Sequence, residues 1–189
     1  MGYLNDEPDS SVADFTISKQ AYLTSHPEVS FGYVVSSSLV LDATATSEHR
    51  ILLLQRAETE DGVGKWEPTG GACDDCDKSI LSAAARELHE EAGLDAKWIG
   101  GPVNKRHFFT LDDGKRVCQF NFPVRVDMSN QAVKLSPGEH QRFIWATEEE
   151  VKSRKVSDID IEFTRDEVRE QCWQHSITQA TSTYDTKIF

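Results

Sequence analysis

Arg86-Glu87-Leu88-His89-Glu90-Glu91-Ala92-Gly93-Leu94 is the stretch that decides how this chain folds and what it does. Residues 79–85 before it are small or apolar, without Gly or Pro, and predict a helix that continues through Glu91. On that helix Glu87, Glu90 and Glu91 stand at i, i+3 and i+4 and share one face. Leu81, Ala84, Ala85, Leu88 and Ala92 form a neighbouring stripe suited to a core. The acids lie near the helix C-terminus, where the macrodipole disfavours each of them by roughly 0.3–1 kcal/mol. Glu87 and Glu91 also repel one another across one turn. A solvated acidic face is the ordinary explanation of clustered acids, but a face selected only for stability would not concentrate them here. A hard divalent cation removes the penalty, because it takes oxygen ligands and tolerates several carboxylates.

The surroundings favour the cation. Gly70-Gly71 lies upstream, and Gly93 stands where a helix-ending C′ glycine belongs. The whole string, residues 70–94, reads GGACDDCDKSILSAAARELHEEAGL. It resembles the Nudix box, G-x5-E-x7-R-E-U-x-E-E-x-G-U with U a bulky aliphatic residue, and positions 86–94 match without exception. The front half departs from the pattern. Counting back from Arg86 puts the box's first glycine on Ala72 and its first glutamate on Lys78. Gly71 fits the glycine only with one extra loop residue, and the nearest acid is then Asp77.

The resemblance implies an α/β fold, a Nudix-type α/β/α sandwich with a mixed sheet between helices. It implies hydrolysis of a pyrophosphate bond in a nucleoside diphosphate linked to another group, or in a related organic diphosphate. Mg²⁺ or Mn²⁺ would neutralise phosphate charge and lower the pKa of bound water. Glu87, Glu90 and Glu91 would be the cation ligands, with the Gly71 backbone completing the metal and phosphate site. Arg86, Gly70 and Gly93 would be structural, Arg86 holding the glutamates through charge-assisted hydrogen bonds. Relatives often take a general base from a loop outside the box. Glu139, in Ser136-Pro137-Gly138-Glu139-His140, is the candidate here, with a box glutamate or His140 as alternatives. Arg56, Lys65, Trp66 and Arg106 are candidate substrate contacts, although basic loop residues are usually solvated and strand aromatics usually fill cores. Phe108 and Phe109 carry the same ambiguity. A catalytically weak Nudix fold that binds a nucleotide or a protein is the competing function, and Lys78 is the feature that favours it. A diphosphate isomerase on the same fold lacks any further supporting acid–base pair.

Composition sets outer bounds. At 189 residues, 38% hydrophobic and 28% charged, the chain fits one globular domain. A net charge of −12 argues against nucleic acid as the main partner, which needs basic surface. A small phosphorylated substrate remains compatible with it. No run approaches the roughly 20 apolar residues of a membrane span. The N-terminal residues carry no basic and apolar leader, so a cytoplasmic monomer or homodimer is the expectation. Cys73 and Cys76 have zinc-ligand spacing without a second close pair, and read as ordinary loop residues. Cys118 and Cys172 suit a core.

Residues 1–25 lack periodicity and read as a mobile arm or extension, 26–180 as a single domain, and 181–189 as a polar tail. Apolar patches at 33–35 and 39–41 predict strand, and 51–54 reads as a strand covered on both faces. Further strands are expected at 97–99, 106–111, 117–126 and 142–146, the middle pair joined by an Asp-Gly turn. In the longest, Cys118, Phe120, Phe122, Val124 and Val126 alternate with polar residues, and Pro123 suggests an edge or a bulge. Thr147 with Glu150, and Thr164 with Glu167, have the spacing of helix-starting capping boxes.

Overall fold

The computed structural model describes residues 10–27, 33–42, 49–58, 61–111 and 113–172, so the polar tail at 181–189 lies outside the described residues. A long strand, β1 (Tyr33–Leu41), runs through the middle of the sheet. The two apolar patches of the sequence belong to this one strand because Ser36, Ser37 and Ser38 between them are buried. The Ser38 hydroxyl donates to the Ala84 carbonyl at 3.1 Å, while Ser37 Oγ accepts from Gln119 Nε2 at 2.8 Å. Hydrogen bonding thus makes Ser37 and Ser38 tolerable at core positions.

Around β1 the chain places β2 (Ile51–Arg56), β3 (Trp66–Glu67) and β4 (Thr69–Ala72), then β5 (Ala96–Ile99), β6 (Val103–Thr110), β7 (Arg116–Val126) and β8 (His140–Ala146). The principal order is β3-β2-β1-β7-β5, with β4 on β1, β6 on β7 and β8 on β2. β1 and β7 are parallel along their length and the other pairings are antiparallel, which makes the sheet mixed.

Helices cover both faces, as the sandwich expectation requires. On one face Val40, Leu52, Leu54, Phe120 and Phe122 pack with α2 (Ile80–Ala92), through Ile80, Leu81, Ala84 and Leu88. On the other, Leu39, Leu41, Ile51, Leu53 and Trp66 pack with Val151 of α3 (Glu148–Ser153) and Val168 and Cys172 of α4 (Asp166–Cys172). Within α2 it is Ala83, not Ala85, that is fully buried beside Ala84. Among the described residues no helix is long and apolar enough to cross a membrane.

Three expectations need correction or narrowing. Of the arm or extension expected at 1–25, residues 10–25 are an extension packed on the core, and residues 1–9 lie outside the described residues. A 3-10 turn (Ser10–Phe15) and α1 (Lys19–Ser25) bring Val12, Phe15 and Tyr22 into the first core. Phe15 meets Phe120 and Phe122 at ring-centroid distances of 4.9 and 5.3 Å, and Tyr22 meets Phe120 at 5.4 Å. A few aromatic anchors do this without a helical repeat, so periodicity does not reveal them. Pro123 is also not on an edge. Its carbonyl accepts from Gly100 N at 2.9 Å, where β7 exchanges β5 for β6 as a partner, so its missing N–H falls at a change of pairing. Lastly, α4 starts at Asp166, and the Thr164 N–H instead donates to the Trp66 carbonyl at 3.1 Å. The Thr147–Glu150 box does form at the start of α3.

Candidate active site

The glutamates take their positions from the two ends of α2. Ser79 caps its N-terminus and Gly93 closes it at φ 66°, in the left-handed region. Beyond the cap, the last carbonyls are met by a distant loop: Lys134 N donates to Ala92 O at 2.8 Å and Ser136 N to Glu91 O at 3.1 Å. The same loop then turns back on itself, with Glu139 N and His140 N both donating to Ser136 O. This closure carries Glu139 and His140 to the glutamate face of α2.

Strand β4 lies against that face. Glu91 Oε2 accepts from Gly70 N at 2.9 Å, and a Cβ on Gly71 would stand 2.5 Å from Glu87 Oε1. A larger residue at 71 would require the Glu87 carboxylate to shift from this position. Gly71 is thus the box-loop glycine that lies directly against Glu87. Glu91 is 8% exposed, and burial pushes its carboxyl well above the usual carboxylate range, against the Gly70 hydrogen bond. Burial also raises Glu87, opposed by the charge of Arg86.

Arg86 gathers the front of the site. Its Nε and Nη2 donate to the two oxygens of Asp77 at 3.1 and 3.0 Å, and Nη2 also reaches the Ala72 carbonyl at 3.0 Å. Nη1 donates to Glu87 Oε1 and Glu90 Oε2, both at 2.9 Å. Burial alone would raise the Asp77 carboxyl, but the Arg86 hydrogen bonds outweigh it and hold the group below its ordinary value. Asp77 is thus the loop acid that Arg86 grips through both oxygens, while Lys78 beside it is exposed. Lys78→Glu is expected to leave phosphate-releasing activity within about tenfold, or roughly 1.4 kcal/mol in barrier. A gain beyond that in steady-state assays would mean that Lys78 impairs the native loop.

Behind the glutamates lies a residue that the sequence reading left unassigned. Glu67 accepts from Arg56 Nη1 at 2.6 Å, and its Oε1 stands 3.5 Å from His140 Nε2. Burial pushes its carboxyl up, but His140 and the Arg56 charge together hold it below the usual value. Ligand atoms of Glu91, Glu139 and His140 all fall within 4.8 Å of one another. The donor set fits a divalent cation: several carboxylates, a glycine cradle at Gly71, and a buried imidazole whose nitrogens lack hydrogen-bond partners.

A polar niche adjoins this cluster on the sheet face opposite α2. Ser37, paired in register with Gly70, is bonded to Gln119, which also donates to Asn121 Oδ1 at 2.9 Å. Arg165 Nη2 donates to Gln119 Oε1 at 2.8 Å, and its guanidinium carbon sits 3.9 Å from the ring centre of Phe109. Burial lowers the pKa of Arg165, with the Glu67 and Glu167 charges opposing it. The amides have a sequence signal, being polar residues that alternate with phenylalanines in a long strand. Arg165 has none.

The proposed substrate contacts divide. Arg56 reaches the cluster through Glu67. Trp66 does not face it: the indole is fully buried in the second core and has no free face for a base, a correction to the sequence reading. Strand pairing of β3 with β2 turns it inward. Lys65 is ion-paired with Glu162 at 3.2 Å. Arg106 acts electrostatically on Cys118, which faces the first core, on the other side of the sheet from Gln119. Phe108 is exposed, whereas Phe109 lies under Arg165. Cys73 is buried and Cys76 exposed, and among the described residues neither belongs to a group of metal-ligating side chains. Burial pushes the Cys73 thiol up to about 12.

Known proteins place this geometry in context. The chain is similar to the CTP pyrophosphohydrolase of Escherichia coli (strain K12), 26% identical over 132 residues that cover 65% of this chain and 84% of the relative. Its fold is similar to that of the MutT protein from Methanosarcina mazei Go1, with a TM-score of 0.57 and 24% identity, covering 82% of this chain and 96% of the other. It is likewise similar to a C. elegans Ap4A hydrolase, with a TM-score of 0.56 and 21% identity over 78% of this chain and 98% of that one. The model of the NUDIX domain matches residues 35–166, well over half of the sequence, and spans every residue of the site described above. The chain belongs to the NUDIX domain family.

Proposed function

We propose that this enzyme hydrolyses the pyrophosphate bond of a nucleoside diphosphate linked to another group, with Mg²⁺ or Mn²⁺ as cofactor. The observation that carries the reading is the meeting of buried Glu91 with Glu139 and His140 within 4.8 Å, where the nearby Glu67, Glu87 and Glu139 charges add to the cost of its own. Such a carboxylate is costly unless a cation joins it. When bound, the cation neutralises phosphate oxygens and activates water. The chain's own residues do the rest. Arg86 fixes Glu87 and Glu90, Gly70 N–H orients Glu91, and a carboxylate of the cluster accepts the proton of the attacking water.

The niche of Gln119, Asn121 and Arg165, with Phe109, supports a nucleotide as substrate. Gln119 donates both Nε2 hydrogens to Ser37 and Asn121 and uses its oxygen to hold Arg165, whose guanidinium lies over the Phe109 ring and would offer donors to a base edge. The curated relative named for CTP points to the same class. The test is phosphate release from a panel of nucleoside triphosphates, dinucleoside polyphosphates and nucleotide sugars, with Mg²⁺, Mn²⁺ or excess chelator. Release from nucleotides that stops with chelator is the expected result, and Arg165→Leu should then raise KM more than it lowers kcat. No release across the panel would leave a binding module as the function.

A further inference from the structure

His140 is 3% exposed, yet neither ring nitrogen has a hydrogen-bond partner. Leaving a buried polar group unsatisfied ordinarily costs about 1–3 kcal/mol, so the arrangement calls for a ligand. Glu67 meets Nε2 only as a long ion-pair contact: its Oε1 is 3.5 Å away and also accepts from Arg56 at 2.6 Å, which leaves the ring short of a full hydrogen bond. A neutral imidazole keeps one lone pair. Here a ring nitrogen shares a 4.8 Å cluster with carboxylate oxygens of Glu91 and Glu139. All three residues are pinned: Glu91 by Gly70 N–H, and Glu139 and His140 by the turn that bonds to Ser136.

We propose that His140 completes, with Glu91 and Glu139, a mixed nitrogen–oxygen cation site that favours Mn²⁺ over Mg²⁺. The box glutamates offer oxygen alone, which suits both ions. An imidazole changes the preference, because Mg²⁺ is a hard ion that keeps oxygen and water around it, whereas first-row transition ions accept nitrogen readily. The inference rests on the cation-dependent reading above and narrows it to one ligand and one ion.

Pulsed EPR of the full-length protein with one equivalent of Mn²⁺, and no nucleotide, tests this directly. The expected result is hyperfine coupling to a bound ¹⁴N, which changes to the ¹⁵N pattern when the protein is grown with [¹⁵N]histidine. That readout needs no variant. In His140→Gln the nitrogen coupling should vanish, and Mn²⁺ affinity by titration calorimetry should fall about 10–100-fold while Mg²⁺ affinity changes little. Bound Mn²⁺ without nitrogen coupling, or an unchanged Mn²⁺-to-Mg²⁺ ratio in His140→Gln, overturns the inference and leaves the hydrolase reading standing. Failure of the wild-type protein to bind either ion removes both.

Discussion

Glu91→Gln is expected to lower cation-dependent phosphate release by about a hundredfold or more, since even losing a group that merely orients a metal ligand costs 10–100-fold. The same substitution should leave the cation-free protein at least as stable as the wild type near neutral pH. Glu91 is buried, and burial raises its folded-state pKa above that of the unfolded chain. The folded state then binds the extra proton, so its stability falls as pH rises from the unfolded value of about 4.5 towards the raised folded one. Above that window the full penalty of the buried charge is present. Glutamine removes the charge while its side-chain oxygen still accepts from Gly70 N. Thermal melts of the two proteins in chelator, from pH 4 to 8, should therefore diverge with rising pH in favour of the variant. A variant that melts lower throughout, or that keeps full activity, would contradict the role given to Glu91. The expected outcome is a local exchange of stability for function.

Arg86→Ala acts in the opposite sense. The guanidinium holds Asp77 through both oxygens and also holds Glu87, Glu90 and the Ala72 carbonyl. Removing it leaves three carboxylates facing one another and a carbonyl without its donor. Breaking a buried pair costs about 3–5 kcal/mol. Because Arg86 is a quarter exposed, screening reduces the expected loss to about 2–3 kcal/mol. Its pH dependence is also defined. Asp77 is held below its ordinary value, so its contribution is fully present above the unfolded pKa and is lost as pH falls through the folded one. The deficit of the variant, read by urea denaturation, should be largest near neutrality and shrink in acid. Activity should fall with it, because Glu87 and Glu90 lose their alignment. Arg86→Lys is expected to recover little, since a single ammonium cannot reproduce the two-pronged contact to Asp77.

Several features were legible because they depend on neighbours along the chain. The helix over Ile80–Ala92, its glycine stop and the core stripe follow from spacing within four residues. The strand over Arg116–Val126 shows its two faces by alternation, and β2 shows its double cover by an unbroken apolar run. Where the reading went astray, a side chain's fate depended on a distant segment. Trp66 follows a glycine-rich turn and resembles a stacking aromatic, yet pairing of β3 with β2 buries it between Ile51, Leu53 and the α3–α4 side of the sheet. Phe15 and Tyr22 sit in polar sequence and are core residues because the aromatic face of β7 receives them. Arg165 lies 46 residues from Gln119, and no local pattern joins the two.

The sequence by itself determined the box helix, the i, i+3, i+4 face of Glu87, Glu90 and Glu91, and Arg86 beside them. It also showed that an acidic cluster in that place needs a counter-charge. Only the tertiary structure decided which of these acids is desolvated. Glu91 is, because β4 crosses it at Gly70 and the loop through Ser136 closes over the helix end. Only the tertiary structure brought Glu67, Glu139 and His140 to the same point, and set Arg165 over Phe109 beside it. The physical reason is one of range. Helical periodicity and charge repulsion act between residues a turn apart and can be read in order. Desolvation depends on which remote segments exclude water, and those are known only once the chain has folded.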